Sequence, residues 1–341
     1  MSGPINEDIR NSIDILVSKL GKKDNARFLK EAFHSIAKIA INTDDINAGD
    51  WKLLSRAIKE FQKSFHVFSP YRGIRKVCIF GSARTPEEDP EYKLTELFSK
   101  RITEEDMMVI TGAGPGIMEA GNKGALPDKS FGVNIRLPFE QEANQYILED
   151  PKLISYRYFF IRKLMFIKES DATVLFPGGF GTLDEGYEGL TLLQTGKSAP
   201  RPVILMESKG GTYWERWISF FSEVMLPLGY ISPDDLSLFK IINDVEEAVT
   251  LIKHFYSRYH SIRYVKEDTI IRMNSELTES QVHRLNDDFS DILQGKTITI
   301  TDPLDEEVAT KDFLRKPRLK VPFNKVHFGR LVQLIHAINN A

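Results

Sequence analysis

The chain contains 341 residues, of which 42% are apolar and 27% charged, and its formal net charge is −3. The length predicts one large domain or two to three modest ones, and the acidic balance argues against nucleic acid as a partner. No apolar run approaches the ~18 residues of a membrane span, and the polar, acidic start of the chain lacks the pattern of a signal peptide. One cysteine, Cys78, and seven scattered histidines give neither an internal disulfide nor a metal-ligand pattern, so we expect a cytoplasmic protein that acts without a metal.

Residues 1–72 have the periodicity of helices. Apolar residues recur at helical spacing in the first twenty residues and again over 26–41, and Asp50 is positioned to cap a third helix. The apolar face of the first helix is predicted from Ile9, Ile13, Ile15, Leu16 and Leu20. No cluster of reactive side chains accompanies these helices, so we interpret this extension as a cap or a dimerisation element.

Residues 73–257 alternate between apolar strands and helices, which predicts an α/β fold with a doubly wound, Rossmann-like parallel sheet. The first strand, 77–80, is entirely apolar, as expected where helices cover both faces of a sheet. Gly81 and Ser82 form a tight turn at its carboxyl end, the edge at which such sheets bind ligands. Further strands are predicted at 107–111, 131–135, 171–176, 202–206 and 241–242, and helices at 92–101, from 117, at 210–228 with a buried aromatic face, and at 245–256.

A glycine-rich turn follows the second strand and contains Gly112, Gly114 and Gly116, with Met118 at the start of the next helix. Alone, this turn is a loose and weak match to a dinucleotide fingerprint. The acid that would bind a ribose is missing from the end of the following strand, so we predict no nicotinamide cofactor and no other cofactor. The polar stretch 141–155 is predicted to be a loop or lid beside the site.

The segment from 156 to 197 has the order helix, strand, glycine-rich turn, helix, with the last helix predicted over 182–195. The turn contains Gly178, Gly179 and Gly181. Glycines allow the backbone to approach an anion closely, and the N–H groups at the start of a helix, together with its dipole, bind the anion. This turn therefore predicts a phosphate-binding site.

Three polar side chains follow the turn. Thr182 adds a hydroxyl donor, whereas Asp184 and Glu185 are predicted on the first turn of the helix, where acids would repel an anion. These acids either offset the positive end of the helix dipole or one of them has another role. Composition alone leaves both interpretations open.

The sequence PGGFGTLDE of this turn resembles the PGGxGTxxE motif of the LOG (Lonely Guy) family of nucleoside 5′-monophosphate phosphoribohydrolases, long misnamed lysine decarboxylases. The Arg-Lys pair on that family's preceding helix is matched by Arg162 and Lys163. The resemblance extends over residues 76–252, about half the chain. It implies that the protein hydrolyses the N-glycosidic bond to give a free base and ribose 5-phosphate, and that it forms a homodimer or a higher homo-oligomer.

The resemblance also implies that Arg162 and Glu185 are the catalytic residues. A carboxylate beneath the ribose would stabilise the positive charge that develops at the anomeric carbon, while an anchored phosphate would hold the sugar in place. The predicted substrate-binding residues are Gly81, Ser82, Gly112, Gly114, Gly116, Met118, Lys163, Gly178, Gly179, Gly181, Thr182, Asp184 and Thr191.

Short plant-like members of the family carry a glutamate before the Arg-Lys pair, where this chain has Ile161. This departure implies a broader nucleotide substrate, such as AMP, GMP or a pyrimidine monophosphate, in place of a cytokinin nucleotide. Three alternatives belong to other classes: a nucleotide-sensing module that does not cleave, a true lysine decarboxylase, and a single-stranded DNA binder of related fold. A Schiff-base lysine in a pyridoxal phosphate pocket is not recognisable, and the acidic net charge disfavours DNA.

Residues 258–341 lie beyond the resemblance and predict a small α+β appendage. Its strands and its capped helix carry no recognisable chemistry, so it is interpreted as a regulator-binding element or an interface. The charges of 311–320 are interpreted as a solvated face.

Overall fold

The computed structural model describes residues 5–21, 26–41, 46–125, 127–136, 142–311 and 313–341. A parallel sheet of seven strands forms its centre, with the strand order β4-β3-β2-β1-β5-β6-β7. The strands are β1 (Lys76–Phe80), β2 (Met108–Thr111), β3 (Ser130–Ile135), β4 (Leu153–Tyr156), β5 (Ala172–Leu175), β6 (Val203–Met206) and β7 (Lys240–Ile242). The predicted α/β, Rossmann-like fold is therefore confirmed.

Three helices precede the sheet: α1 (Glu7–Leu20), α2 (Ala26–Ile41) and α3 (Ala48–Phe68). Asn47, not Asp50, caps α3. The Asn47 side chain accepts hydrogen bonds from the N–H groups of Gly49 and Asp50, and the Asp50 carboxylate accepts one from the Asn47 N–H, which completes a capping box. The predicted cap was wrong by three residues because Asp50 is the third residue of the helix.

The apolar face predicted for α1 is only partly buried. Ile13 and Val17 are buried, whereas Ile15, Leu16 and Leu20 are exposed. Helix α3 is the one that packs on the sheet: the Ser64 hydroxyl lies 2.6 Å from the Tyr156 hydroxyl of β4. Helix α1 therefore exposes apolar side chains, as α2 does at Phe28 and Ile41.

Helices cover both faces of the parallel sheet: α4 (Pro90–Glu104), α5 (Ile117–Gly124), α6 (Phe159–Glu169), α7 (Phe180–Gln194), α8 (Tyr213–Phe220) and α9 (Val245–Phe255). All residues of β1, β2, β5 and β6 are buried, as their apolar sequences predict. Cys78 is buried in β1, and burial raises the pKa of its thiol to about 12. A π-helical turn, Phe221–Met225, ends α8, and Phe220 is half exposed, so the predicted aromatic core excludes it.

The predicted loop or lid at 141–155 is wrong in its last residues, which form strand β4; residue 141 lies outside the described residues. Strand β4 pairs with β3, with Gly132 opposite Leu153. Four residues with alternating exposure carry little periodicity, and it is the pairing with a distant strand that makes them a strand.

The C-terminal residues form an antiparallel sheet with the order β10-β11-β9-β8. Its elements are β8 (Tyr259–Val265), β9 (Asp268–Met273), α10 (Glu279–Asp288), β10 (Thr299–Ile300), α11 (Asp305–Thr310), β11 (Arg318–Val321) and α12 (Phe328–Asn340). This α+β unit has a core of its own. The solvated face predicted for 311–320 is wrong for Arg318, which is buried beside the buried carboxylate of Glu307.

Helix α12 joins this unit to the parallel sheet by packing on the 3-10 turn Pro233–Leu238. The predicted domain boundaries at 72 and 257 stay predictions. Across the described ranges, no helix has the length and apolar character needed to cross a membrane.

Candidate active site

A cavity of about 760 Å³ lies at the carboxyl ends of β1 and β5. The strand order reverses direction between these two neighbours, and this switch point is where doubly wound sheets bind ligands. The cavity is lined by Phe80, Gly81, Ser82, Ala83, Arg84, Met118, Phe159, Arg162 and residues 178–185.

The turn after β5 leads directly into α7. Gly179 is the N-cap of this helix, which begins at Phe180, two residues earlier than predicted. The Tyr213 hydroxyl donates a 2.6 Å hydrogen bond to the Gly178 carbonyl, and the Ser82 N–H donates one of 3.1 Å to the Pro177 carbonyl. The turn is thus held from two sides, with the first N–H groups of α7 at the cavity.

Two glycines of this turn leave open space. A Cβ atom added at Gly179 or Gly181 would meet no atom within 4 Å, and both residues are exposed at the cavity. At Gly178, in contrast, a Cβ would collide with the Thr182 hydroxyl. The turn therefore combines a fixed backbone with room for an anion over the helix start.

The turn after β2 packs against Ser82 and Ala83, which line the cavity. Gly116 has φ +66° and lies against the Ser82 carbonyl, which accepts a 3.0 Å hydrogen bond from the Ile117 N–H. Ala113 also has a positive φ, of 62°, and its carbonyl accepts from the Asn144 N–H. A left-handed alanine is costly, and hydrogen bonds from a neighbouring loop hold it in place.

Arg162 extends from α6 to the cavity. Its Nε donates a 2.9 Å hydrogen bond to the Val133 carbonyl, and its guanidinium lies over the Phe166 ring, 5.2 Å from the ring centroid. A Cβ added at Gly112 would lie 2.7 Å from Nη2 of Arg162. Gly112 therefore makes the space in which the guanidinium sits.

Lys163 binds three carboxylates of α7. Its Nζ lies 2.8 Å from Asp184 Oδ2, 2.6 Å from Glu188 Oε2 and 3.5 Å from Glu185 Oε1. Burial opposes the charge on Lys163, but the hydrogen bonds that it donates to Asp184 and Glu188, together with the nearby negative charge of Glu185, outweigh burial and raise its pKa. Lys163 is thus a fixed positive charge beside the predicted catalytic acid.

Glu185 is 9% exposed and lines the cavity. Burial raises the pKa of its carboxyl, while Lys163 and Arg162 oppose that rise. Because α7 begins at Phe180, Asp184 and Glu185 lie on its second turn and not on the first. Offsetting the helix dipole therefore does not explain them.

The structure brings together most of the predicted site residues. Some of them line the cavity, and others contact the residues that line it. Eight of them line the cavity together with the predicted catalytic pair: Gly81, Ser82, Met118, Gly178, Gly179, Gly181, Thr182 and Asp184. Four others do not line the cavity but contact residues that do: Gly112, Gly114, Gly116 and Lys163. Thr191 lies outside it, along a separate cavity of about 90 Å³, and donates its hydroxyl hydrogen bond to the Tyr187 carbonyl.

Four contributors were missed by the sequence analysis. Tyr213 and Asn144 lie far along the chain from the turns they hold, and no local pattern indicates them. Glu188 could have been found, because 184, 185 and 188 share one helical face. Phe180 lines the cavity and is 93% exposed, but it occupies the variable position of the PGGxGTxxE motif, so the motif does not indicate it. Among the described residues, no group of three or more His, Cys, Asp or Glu side chains is arranged to hold a metal ion.

These features define a class of protein: a doubly wound α/β protein with an open glycine turn at a helix start and a buried carboxylate at the switch point. The family model described as "Possible lysine decarboxylase" matches residues 114–252. The chain is 31% identical over 195 residues to the cytokinin riboside 5′-monophosphate phosphoribohydrolase LOG1 of Arabidopsis thaliana, covering 55% of this chain and 87% of that protein. It is 24% identical over 181 residues to a probable enzyme of the same name, LOG4, of Oryza sativa subsp. japonica, covering 52% and 76%.

Among solved structures, the molybdenum cofactor binding protein of Rippkaea orientalis is similar over 53% of this chain and 96% of that chain, with 18% identity and a TM-score of 0.39. The sequence relatives identify the family. The chain belongs to the LOG family, as its motifs predict.

Proposed function

We propose that the chain hydrolyses the N-glycosidic bond of nucleoside 5′-monophosphates to a free base and ribose 5-phosphate. One observation carries the proposal: the glycine turn before α7, the Arg162 guanidinium and the buried Glu185 carboxylate line a single cavity. The names of the relatives support the same reaction class.

The phosphate would bind at the start of α7. The N–H groups of the first helical turn and the Thr182 hydroxyl are donors, and the open space at Gly179 and Gly181 admits the phosphate oxygens. Anchoring the phosphate positions the ribose, and positioning of this kind is worth several orders of magnitude in rate.

Glu185 would act on the ribose. As the C1′–N bond breaks, its electron pair leaves with the base and C1′ becomes positive. A carboxylate close by stabilises that charge and accepts one proton of the water whose oxygen bonds to C1′, while the departing base takes up one proton, so the products are ribose 5-phosphate and the neutral base. Burial raises the pKa of Glu185, and Lys163, 3.5 Å away, opposes that rise and so favours the ionised form.

Arg162 would hold the phosphate or steady the leaving base. Its Nε is fixed by the Val133 carbonyl, so the guanidinium is positioned before a ligand binds. Ile161 is fully buried in the core, so the residue that replaces the plant-like glutamate cannot contact a ligand in the cavity. This supports a substrate range beyond cytokinin nucleotides, with AMP, GMP and pyrimidine monophosphates as candidates.

The test is chromatography of free base after incubation with a panel of purine and pyrimidine 5′-monophosphates. We expect base release from at least one of them and much slower release from the matching nucleoside, which lacks the phosphate. If binding is measured but no base appears from any nucleotide, the protein is a nucleotide-sensing module. Equal turnover of AMP and adenosine would contradict the phosphate-binding role of the turn.

A further inference from the structure

The peptide between Gly178 and Gly179 can adopt two opposite orientations. Neither residue has a Cβ atom, so a reversal of this peptide meets little steric resistance. One orientation directs the Gly179 N–H to the cavity, and the other directs the Gly178 carbonyl oxygen there. Because an N–H group binds an anion and a carbonyl oxygen repels one, this orientation decides whether the start of the turn can hold a phosphate.

Tyr213 selects one of the two orientations. Its hydroxyl donates a 2.6 Å hydrogen bond to the Gly178 carbonyl. Gly178 and Gly179 line the cavity, whereas Tyr213 lies outside its lining, so the carbonyl points away from the cavity. The C=O and N–H groups of a trans peptide point in opposite directions, and the Gly179 N–H therefore points towards the cavity.

The Gly179 N–H is the first of a row of donors. Among the described residues, the N–H groups of Gly179, Phe180 and Gly181 have no hydrogen-bond acceptor. The N–H of Thr182 is the first to bond at the helix start, to the Gly179 carbonyl at 3.0 Å. Three consecutive N–H groups are thus available to an anion, and the hydrogen bond from Tyr213 fixes the direction of the first.

Tyr213 is itself held at the start of α8. The Glu207 carboxylate, which is 5% exposed, accepts a 2.9 Å hydrogen bond from the Tyr213 N–H and one of 3.4 Å from the Trp214 N–H. The indole N–H of the buried Trp214 donates to the Met206 carbonyl at the end of β6. Burial raises the pKa of the Tyr213 hydroxyl, so it keeps its proton and remains a donor at neutral pH.

We infer that Tyr213 is a positioning residue for phosphate recognition: its hydroxyl holds the Gly178–Gly179 peptide in the orientation that presents the Gly179 N–H to the 5′-phosphate. The inference rests on the proposed function, because it specifies how the same turn recognises the phosphate of the substrate. Tyr213 acts through the turn and contacts no reacting atom. Its hydroxyl should therefore matter for ligands that carry a phosphate and not for ligands that lack one.

Tyr213→Phe tests this role, because it removes the hydroxyl and keeps the ring that packs beside Trp214. We expect KM for a hydrolysed nucleotide to rise about threefold to tenfold, the effect of one hydrogen bond, with kcat within about twofold of the native value. The dissociation constant of ribose 5-phosphate, measured by calorimetric titration, should rise by the same factor. For the matching nucleoside, which lacks the phosphate, kcat/KM should not change.

Tyr256→Phe is the matched control. The Tyr256 hydroxyl also donates a 2.6 Å hydrogen bond to a backbone carbonyl, that of Asp171. Asp171 precedes β5, whereas Gly178 follows it, so the control removes the same kind of bond at the opposite edge of the sheet. It should lower the melting temperature at least as much as Tyr213→Phe does, and it should leave KM and the affinity for ribose 5-phosphate unchanged.

The outcomes separate this inference from the proposed function. A native chain that neither hydrolyses a nucleotide nor binds ribose 5-phosphate would contradict the proposed function, and the inference with it. If the native chain does both and Tyr213→Phe keeps the native KM and affinity, the proposed function stands and the inference is overturned. Equal losses of affinity in Tyr213→Phe and Tyr256→Phe would also overturn it, because the effect would then be one of general stability. So would a fall in kcat at unchanged KM, since a phosphate contact acts on binding.

Discussion

Glu185 carries the sharpest prediction at the scale of single residues. Replacing it with glutamine keeps the size and one hydrogen-bonding oxygen but removes the negative charge, which matters most when the ribose becomes cationic. We expect Glu185→Gln to lose at least ~100-fold in kcat, equivalent to ~3 kcal/mol, with nucleotide affinity held or improved. Steady-state kinetics and calorimetric titration with a nucleotide measure the two quantities.

Asp184→Asn is the matched control on the neighbouring residue. Asp184 also pairs with Lys163, but its side chain is 60% exposed, so its loss should cost far less. If Asp184→Asn loses activity and Glu185→Gln keeps more than about a third of it, the catalytic acid has been assigned wrongly. Retention by both variants would favour the sensing module.

The pH dependence of the reaction follows from the burial of Glu185. Burial raises its pKa above the ordinary glutamate value of 4.5, so the ionised, active form is lost as pH falls through that raised pKa. We expect kcat/KM to fall about tenfold per pH unit on the acid side, with a midpoint above 4.5. The acid limb should be missing from the residual activity of Glu185→Gln, and a midpoint at or below the ordinary value would contradict the role of burial.

The raised pKa of Glu185 also makes the stability of the fold depend on pH. A raised folded-state pKa means that the ionised carboxylate costs the folded state free energy above that pKa, and that the cost disappears below the unfolded value. Glu185 thus destabilises the fold at neutral pH, which is the usual situation of a residue kept for function.

The individual residues differ in how far the sequence could predict them. Arg162 and Glu185 belong to short sequence motifs, so the sequence alone identifies both positions. The three-carboxylate environment of Lys163 depends on how α6 packs beside α7, and the Tyr213 bond to Gly178 joins positions 35 residues apart. Such contacts are set by the tertiary structure and leave no local pattern.

At the scale of elements, the turn between β2 and α5 fixes where the α6 arginine lies. A Cβ at Gly112 would come within 2.5 Å of Met118 Sδ and 2.7 Å of Arg162 Nη2, and both atoms belong to ends of flexible side chains. Gly112→Ala should therefore fold, with Arg162 displaced and kcat/KM reduced at least about tenfold, since small displacements at a catalytic site are expensive.

Gly114→Ala is the matched control, because its Cβ would meet Met118 only, at 2.6 Å from Cε. It should retain most of the activity that Gly112→Ala loses, at a similar melting temperature. Equal losses in both variants would assign the effect to Met118 and not to Arg162.

Elements were predicted best where they are long or fully apolar. The strands of the sheet centre follow from uninterrupted apolar runs, whereas β4 does not, because its edge position leaves alternate residues half exposed. The sequence predicts the start of α7 two residues late, because glycines favour a turn over a helix. In the structure Gly179 caps the helix, and Phe180 and Gly181 already belong to it.

At the scale of the whole molecule, the N-terminal helices predict self-association. Helix α2 has no buried residue, and α3 exposes 47% of Leu53 and 45% of Ile58. Several apolar side chains of these N-terminal helices are exposed. Such exposure is typical of an interface between copies of a chain. We expect light scattering to give at least twice the 39.0 kDa mass of one chain at micromolar concentration.

A charge placed at Leu53, an exposed apolar residue of α3, should break this association. Leu53→Glu buries a carboxylate if a second copy covers the position, so it should shift the mass toward that of a single chain without lowering the melting temperature of the monomer. Lys52→Glu, at the adjacent exposed position of the same helix, replaces a side chain that is already charged and should leave the mass unaltered. A native chain that is already monomeric would contradict the prediction outright, and a dimer insensitive to Leu53→Glu would place the interface on another surface.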